Sequence, residues 1–192
     1  MFRRLLLVAT LAATSVGLAA GPVAADREKV TLDWFVCSPA APVELTSPCA
    51  ATASDPALGK VELVGAGSLV VRMDDDGDID AEAATGGGSF VHRDASGKAD
   101  AFGAWTATKL LSFEPFSALT AEAQGGIARM RVHFFDRSGE EGDGELQITC
   151  RIDAPANAPP EGIKLNVFGI ANFDQTLPGG ETLFTPSSSQ PE

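Results

Sequence analysis

Apolar and polar residues alternate strictly over long stretches of this chain, most clearly from Ile127 to Asp153. In the first arm of this segment, the even positions from 128 to 134 are apolar and the odd positions between them are Arg or His. The second arm repeats the pattern, with apolar residues at the even positions from 146 to 152. Because side chains of a strand alternate between its two faces, the segment predicts an antiparallel β-hairpin with one buried and one exposed face.

Shorter stretches with the same periodicity predict the other strands. They cover residues 29–37, 60–73 (a short strand and a longer one), 79–83, 89–94, 100–113 and 163–167. We expect a bulge or bend at Gly65 and Gly67, a bulge near Leu110 and a bend at residues 86–88. At most two turns of helix fit between Pro115 and Gly125.

About eight short antiparallel strands with turn residues between them are typical of an all-β fold. The connections are mostly local, which predicts an antiparallel meander. We favour an up-and-down barrel over a β-sandwich, because closing the sheet removes the exposed edges of strands rich in Val, Phe and Ile.

The first 25 residues have the pattern of a secretory signal peptide. Arg3 and Arg4 precede an apolar run that ends in small residues, and this predicts cleavage before Asp26. A retained membrane anchor and a twin-arginine signal are the alternatives. Residues 26–184 are then predicted to form one domain, residues 38–58 a Pro-rich segment without regular structure, and residues 185–192 a disordered tail.

The charge of the chain limits its partners. The 192 residues carry 26 acidic and 14 basic side chains, a net charge of −12. Loss of residues 1–25 would leave 12 basic and 26 acidic side chains, a net charge of −14. Such a surface repels nucleic acid and anionic membranes, so we expect neither as a partner, and no membrane insertion after cleavage. The expected location is secreted or periplasmic.

Three cysteines follow the predicted cleavage site, so one intrachain disulfide can form. Cys37 and Cys49 flank a Pro-rich loop, and their pairing would close that loop. The rival pairing joins Cys37 with Cys150 and would tie the first strand to the central hairpin. The remaining cysteine is expected to be a buried small apolar residue.

The sequence DDDGDID at residues 74–80 is the strongest candidate for a metal site. It does not match an EF-hand loop, because Arg72 and Ala83 stand where the first and last ligands belong. An oxygen cage for calcium could still form from four carboxylates, those of Asp74, Asp76, Asp78 and Asp80. The simpler interpretation is a solvated hairpin turn.

Sequence motifs for catalysis are missing from this chain. It has no nucleophile elbow, zinc-protease helix, paired redox cysteines or phosphate-binding loop. His92 and His133 are the only histidines, and a catalytic or metal role would require them to converge with each other or with a carboxylate. We therefore predict a non-enzymatic protein without a cofactor.

A row of positive residues is predicted on the exposed face of the central hairpin. It consists of Arg129, Arg131 and Arg151, with His133 on the same face. Such a stripe could receive a partner or ligand that carries a carboxylate. The alternative is cross-strand pairing with neighbouring acidic residues.

These observations lead to one functional hypothesis and two alternatives. The leading hypothesis is an exported β domain that binds a small apolar or amphipathic ligand, or a partner protein, through its interior mouth or its loops. The first alternative is a structural module of the envelope or surface without a small-molecule site. The second is a calcium-dependent binding module that uses residues 74–80.

Overall fold

The computed structural model describes residues 28–37, 49–74, 78–119 and 122–187. Within these ranges the chain forms eleven strands and no helix, and therefore no helix that could span a membrane. The strands are β1 (Glu28–Val36), β2 (Ala51–Asp55), β3 (Gly59–Met73), β4 (Ile79–Arg93), β5 (Ala99–Pro115), β6 (Gly126–Asp136), β7 (Glu141–Cys150), β8 (Gly162–Val167), β9 (Ala171–Phe173), β10 (Gln175–Leu177) and β11 (Thr182–Pro186).

All strand pairs are antiparallel, and most join neighbours in the sequence. Strands β2 to β9 pair in the order β2-β3-β4-β5-β6-β7-β8-β9, and β10 pairs with the outer edge of β2. The first half of β3 pairs with β2 and its second half with β1, which in turn pairs with β11. The all-β meander predicted from the sequence is therefore confirmed at this level. The described strands form one sheet that is not closed by a continuous ladder.

The two tryptophans of the chain stack on each other in the core. Trp34 and Trp105 stack with ring centroids 5.5 Å apart, and both are almost completely buried. Each indole nitrogen donates a hydrogen bond to a backbone carbonyl, that of Trp34 to Thr85 and that of Trp105 to Val64. The polar end of each ring is thus satisfied, which burial of an indole requires.

Glycines on the neighbouring strands make room for these rings. A Cβ atom on Gly65 would lie 2.7 Å from Cζ2 of Trp105, and one on Gly67 would lie 2.7 Å from Cζ2 of Trp34. Gly86, Gly87 and Gly88 pair with Gly67, Ala66 and Gly65 inside continuous strands. β3 and β4 therefore continue through these glycines, without the break between a short and a longer strand that was predicted at Gly65 and Gly67. At residues 86–88, the positive φ of 99° at Gly86 marks a local departure from extended backbone, where a bend was predicted.

The structure has more strands than the predicted eight, because short ones were missed. β2 lies within residues 38–58, for which irregular structure was predicted; residues 38–48 fall outside the described ranges. β9 to β11 follow the segment predicted as the last strand. Residues 185 and 186 pair with β1, so ordered structure extends into the predicted tail, and residues 188–192 are not described. No helical turn forms in the described part of residues 114–126.

The predicted bulge near Leu110 is confirmed, since the β5–β6 register shifts on both sides of this residue. The predicted disulfide between Cys37 and Cys49 is also confirmed, with Cα atoms 4.9 Å apart, and Cys150 is the free, buried cysteine. The disulfide links the end of β1 to the start of β2. The predicted signal peptide lies outside the described residues.

Candidate functional site

An apolar pocket of about 540 Å³ opens at one end of the sheet, and we call it the mouth pocket. Antiparallel pairing brings the start of β3, β5 and β7 and the end of β4, β6 and β8 to this end. Interior-facing side chains of β3, β4, β5, β6 and β8 contribute to its wall, and β7 contributes Glu141 and Gly142. A volume of this size lies within the range of about 300–1,000 Å³ that is usual for small-molecule sites.

The walls of the mouth pocket are mainly aliphatic and aromatic. Phe90 and Phe134 both line the pocket and meet edge to face, with centroids 5.2 Å apart. The remaining apolar lining consists of Val61, Ala101, Leu165, Val167, Ile170, Ala171 and Phe173. This lining suits an apolar molecule or the apolar part of an amphiphile.

His92 is a polar residue in the wall of the mouth pocket. It lies on the interior face of β4, two residues after Phe90, and its ring packs against that of Phe173 at 5.4 Å. Its Nε2 donates a hydrogen bond to the carbonyl of Leu58 over 2.9 Å, and its Nδ1 lies 2.6 Å from Oδ1 of Asp100. Both ring nitrogens therefore have partners within the protein. His92 secures the β2–β3 turn at the rim of the pocket.

The rim opposite His92 is acidic. Asp136, Glu140 and Glu141, around the β6–β7 turn, all line the pocket. Asp136 accepts hydrogen bonds from the amides of Phe102 and Ser138, and the bonds from Ser138 lower the pKa of its carboxyl group. The Asp136 side chain is therefore ionised at neutral pH.

Large exposed apolar side chains are concentrated at the end of the sheet that holds the mouth pocket. In the described part of the chain, all side chains of this kind lie at this end of the sheet: Leu58, Phe102, Phe135, Phe168 and Ile170. Ile170 is the most exposed of them, at 69%, and also lines the pocket. Clustering of exposed apolar residues in one region is typical of a binding surface.

The arginines of the predicted positive stripe each contact a different partner within the protein. Arg129 donates to Gln147 and forms an ion pair with Glu114 at 3.1 Å. Arg131 stacks over the ring of Phe168, 4.5 Å from its centroid. Arg151 lies beyond the end of β7 and donates to the carbonyl of a loop residue, so the structure does not group it with the other two.

His133 lies on the exterior face of β6, as its alternation predicts. Its Nδ1 is 2.7 Å from Asp143 and its Nε2 is 3.4 Å from Glu141. The hydrogen bond to Asp143 raises the pKa of the imidazole. His133 and His92 occupy opposite faces of the sheet, and the structure does not bring them together.

The predicted calcium cage is only partly described. Asp74 accepts a hydrogen bond from the amide of Asp78, and the two backbones close the β3–β4 turn through a second bond. Asp76 lies outside the described residues. Asp80 pairs with Arg72 in the β3–β4 ladder. Among the described residues, no group of three or more acidic, His or Cys side chains is arranged to hold a metal ion.

Cys150 lines a second, smaller cavity together with Cys37. Burial raises the pKa of its thiol, which disfavours the reactive thiolate. This agrees with its predicted role as a buried apolar residue.

Sequence reasoning predicted an interior mouth but did not identify the residues that form it. Phe90, Phe134 and Leu165 carry the alternation signal of any core residue, and only the strand order shows that they meet at an open end. The functional interpretation therefore depends on the geometry of the mouth pocket. Comparison with known protein families, with curated proteins and with solved structures finds no match for this chain.

Proposed function

We propose that this chain is an exported, non-enzymatic β domain that binds a small apolar or amphipathic ligand in the mouth pocket. The observation that carries the proposal is an interior pocket of about 540 Å³ with apolar walls, open at one end of the sheet. Burial of apolar ligand surface in such a site contributes roughly 25 cal/mol per Å² before the cost of association is subtracted.

The tryptophan pair supports this proposal. Trp34 and Trp105 are buried and stack on each other, and Trp105 pairs across the β5–β6 ladder with Phe134, which lines the pocket. The pocket wall is therefore continuous with a rigid, well-packed core. Export is supported by the Cys37–Cys49 disulfide, because disulfides persist mainly in oxidising compartments.

We further propose that the sheet closes into an up-and-down barrel. Consecutive strands β9 and β10 pair with β8 and β2, respectively, and Thr176 donates to the carbonyl of Ile163 over 2.8 Å. This segment therefore spans the gap between the two edges of the meander. An experimental structure with hydrogen bonds along the β8–β10 boundary would support the barrel, and two separated edges would favour the sandwich.

Ligand binding can be tested with a matched pair of variants on β5. Ala101 lines the mouth pocket, whereas Ala104 is exposed on the opposite face of the same strand. Purified protein is extracted with organic solvent for mass spectrometry and titrated with N-phenyl-1-naphthylamine, a neutral apolar dye. Ala101→Leu should weaken dye binding about tenfold or more, because the larger side chain occupies the pocket and a loss of about 1.4 kcal/mol of binding free energy is sufficient for this effect. Ala104→Leu should leave dye binding unchanged.

Two results would contradict ligand binding. One is a wild-type protein that neither contains an extractable molecule nor binds the dye. The other is equal dye binding by wild type and Ala101→Leu. Capture of a defined partner protein by the exposed apolar residues around an empty mouth would instead favour the structural surface module.

A further inference from the structure

The walls of the mouth pocket are apolar, and the polar residues at its rim are mainly acidic. Three acidic residues, Asp136, Glu140 and Glu141, are among those that line the rim, and no Lys or Arg of the described residues does so. The Glu141 carboxylate lies on the exterior side of this rim, beside His133. His92 is the basic side chain in the wall, and both its ring nitrogens are already within hydrogen-bond distance of Asp100 and Leu58. The pocket therefore offers hydrogen-bond acceptors at its rim and no unengaged cation.

The nearby arginines do not neutralise the acidic rim. Arg137 stacks over the ring of Phe102 at 5.0 Å, and Arg131 stacks over Phe168. Neither side chain lines the pocket. Glu141 is partly offset by His133, which lies 3.4 Å away, whereas Glu140 is exposed in the turn.

We propose that the mouth pocket selects amphiphiles with a cationic polar end, such as an alkylammonium group, over those with a carboxylate, sulfate or phosphate. The inference rests on the ligand-binding function proposed above. An alkyl chain would occupy the apolar walls and place its polar end at the acidic rim. A cationic end gains attraction there, whereas an anionic end meets like charges without a partner. The net charge of −12 favours cations at longer range.

Displacement of N-phenyl-1-naphthylamine can test this selectivity. The competitors are dodecyltrimethylammonium, dodecyl maltoside and dodecyl sulfate, which share one alkyl chain and carry cationic, neutral and anionic polar ends. Each is used below its micelle concentration. We expect the cationic competitor to displace the dye at about tenfold or more lower concentration than the anionic one, with the neutral one between them.

Charge variants assign the selectivity to the rim. The double variant Glu140→Gln/Glu141→Gln should weaken the cationic competitor by about threefold to tenfold and leave the neutral one unchanged. The control variant Glu28→Gln/Asp153→Asn removes the same charge at the opposite end of the sheet and should change neither. The cationic preference should also decrease as salt is added.

The outcomes separate the two proposals. If the dye and all three competitors fail to bind, the ligand-binding function itself is wrong. If they bind and Ala101→Leu removes that binding, but the anionic competitor is equal to or better than the cationic one, only the charge selectivity is wrong. Equal effects of the rim and control variants would also overturn the selectivity, because general surface charge would then explain it.

Discussion

The ring nitrogens of His92 and His133 all lie beside acceptors within the protein, and this determines what the two residues can do. His92 joins the β2–β3 turn to Asp100 on β5, whereas His133 joins Asp143 and Glu141 on β7. Alternation along β6 was sufficient to predict that His133 faces outward. Its partners depend on the register across the β6–β7 turn, which the sequence does not specify.

The contact between His133 and Asp143 should make stability depend on pH. The hydrogen bond raises the imidazole pKa in the folded state above its ordinary value of 6.5. The stabilisation is therefore complete below the unfolded pKa of about 6.5 and is lost as pH rises through the folded value. We expect the difference in denaturation midpoint between wild type and His133→Gln to be larger at pH 5.5 than at pH 8.5.

Nuclear magnetic resonance titration of the His133 ring gives a direct check. Its pKa should exceed the ordinary value in wild type and decrease in Asp143→Asn. A pKa at or below the ordinary value in wild type, or one unaffected by Asp143→Asn, would contradict the assigned contact.

At the scale of strands, β3 and β4 are long strands that contain several glycines, and glycine is usually a sign that a strand bends or ends. Their glycines were predicted as bends because glycine weakens an isolated strand. In the structure Gly65 and Gly67 on β3 lie beside the rings of Trp105 and Trp34, whereas Gly86, Gly87 and Gly88 on β4 lie against the backbone of the neighbouring strands. Sequence alone does not pair a glycine on one strand with an indole on another.

Substitution of Gly67 should measure this packing. In Gly67→Ala the new methyl group would meet the backbone carbonyl of Thr85 first and the ring of Trp34 at 2.7 Å, and overpacking of this kind costs about 1–3 kcal/mol. The control is Gly142→Ala, whose methyl group would lie 3.6 Å from Val167, an ordinary contact distance. Urea denaturation followed by tryptophan fluorescence compares the two variants. Equal stability of Gly67→Ala and wild type would refute the close packing.

The short strands show where pattern reasoning fails. β2 consists of Ala, Thr, Ser and Asp, of which only Thr is enriched in strands, and β9 and β10 have three residues each. Each of them pairs with the edge of a neighbouring strand: β2 with β3, β9 with β8 and β10 with β2. The long strands β6 and β7, by contrast, follow their alternation closely, and these two strands and the bulged β5 were predicted within a few residues.

For the molecule as a whole, apolar periodicity was sufficient to predict an all-β sheet with local connections. The location of the mouth pocket was not predictable in the same way. Filled and open parts of the interior are lined by the same residue types, and their difference comes from where Trp34 and Trp105 lie relative to the strand ends. The acidic rim likewise depends on which turns meet at one end of the sheet.

The disulfide should contribute to the stability of the whole sheet. It joins Cys37 to Cys49, 12 residues apart, and closing a loop of this length stabilises the folded state by about 3 kcal/mol in the chain-entropy model. The variant Cys37→Ser/Cys49→Ser should therefore unfold at lower urea concentration than wild type. Reductant should lower the midpoint of wild type toward that of the variant and leave the variant unchanged. A midpoint equal to that of oxidised wild type would contradict this role.

Different residues form the tryptophan pair and the mouth pocket, and this affects how the sequences of related proteins can diverge. Residues that secure the scaffold, the indoles and the glycines beside them, are not those that line the opening. Substitutions at the mouth pocket can therefore change which ligand binds while the fold is retained. A lineage built on this architecture would retain its Gly and Trp positions and vary Phe173, Ile170 and the acidic turn.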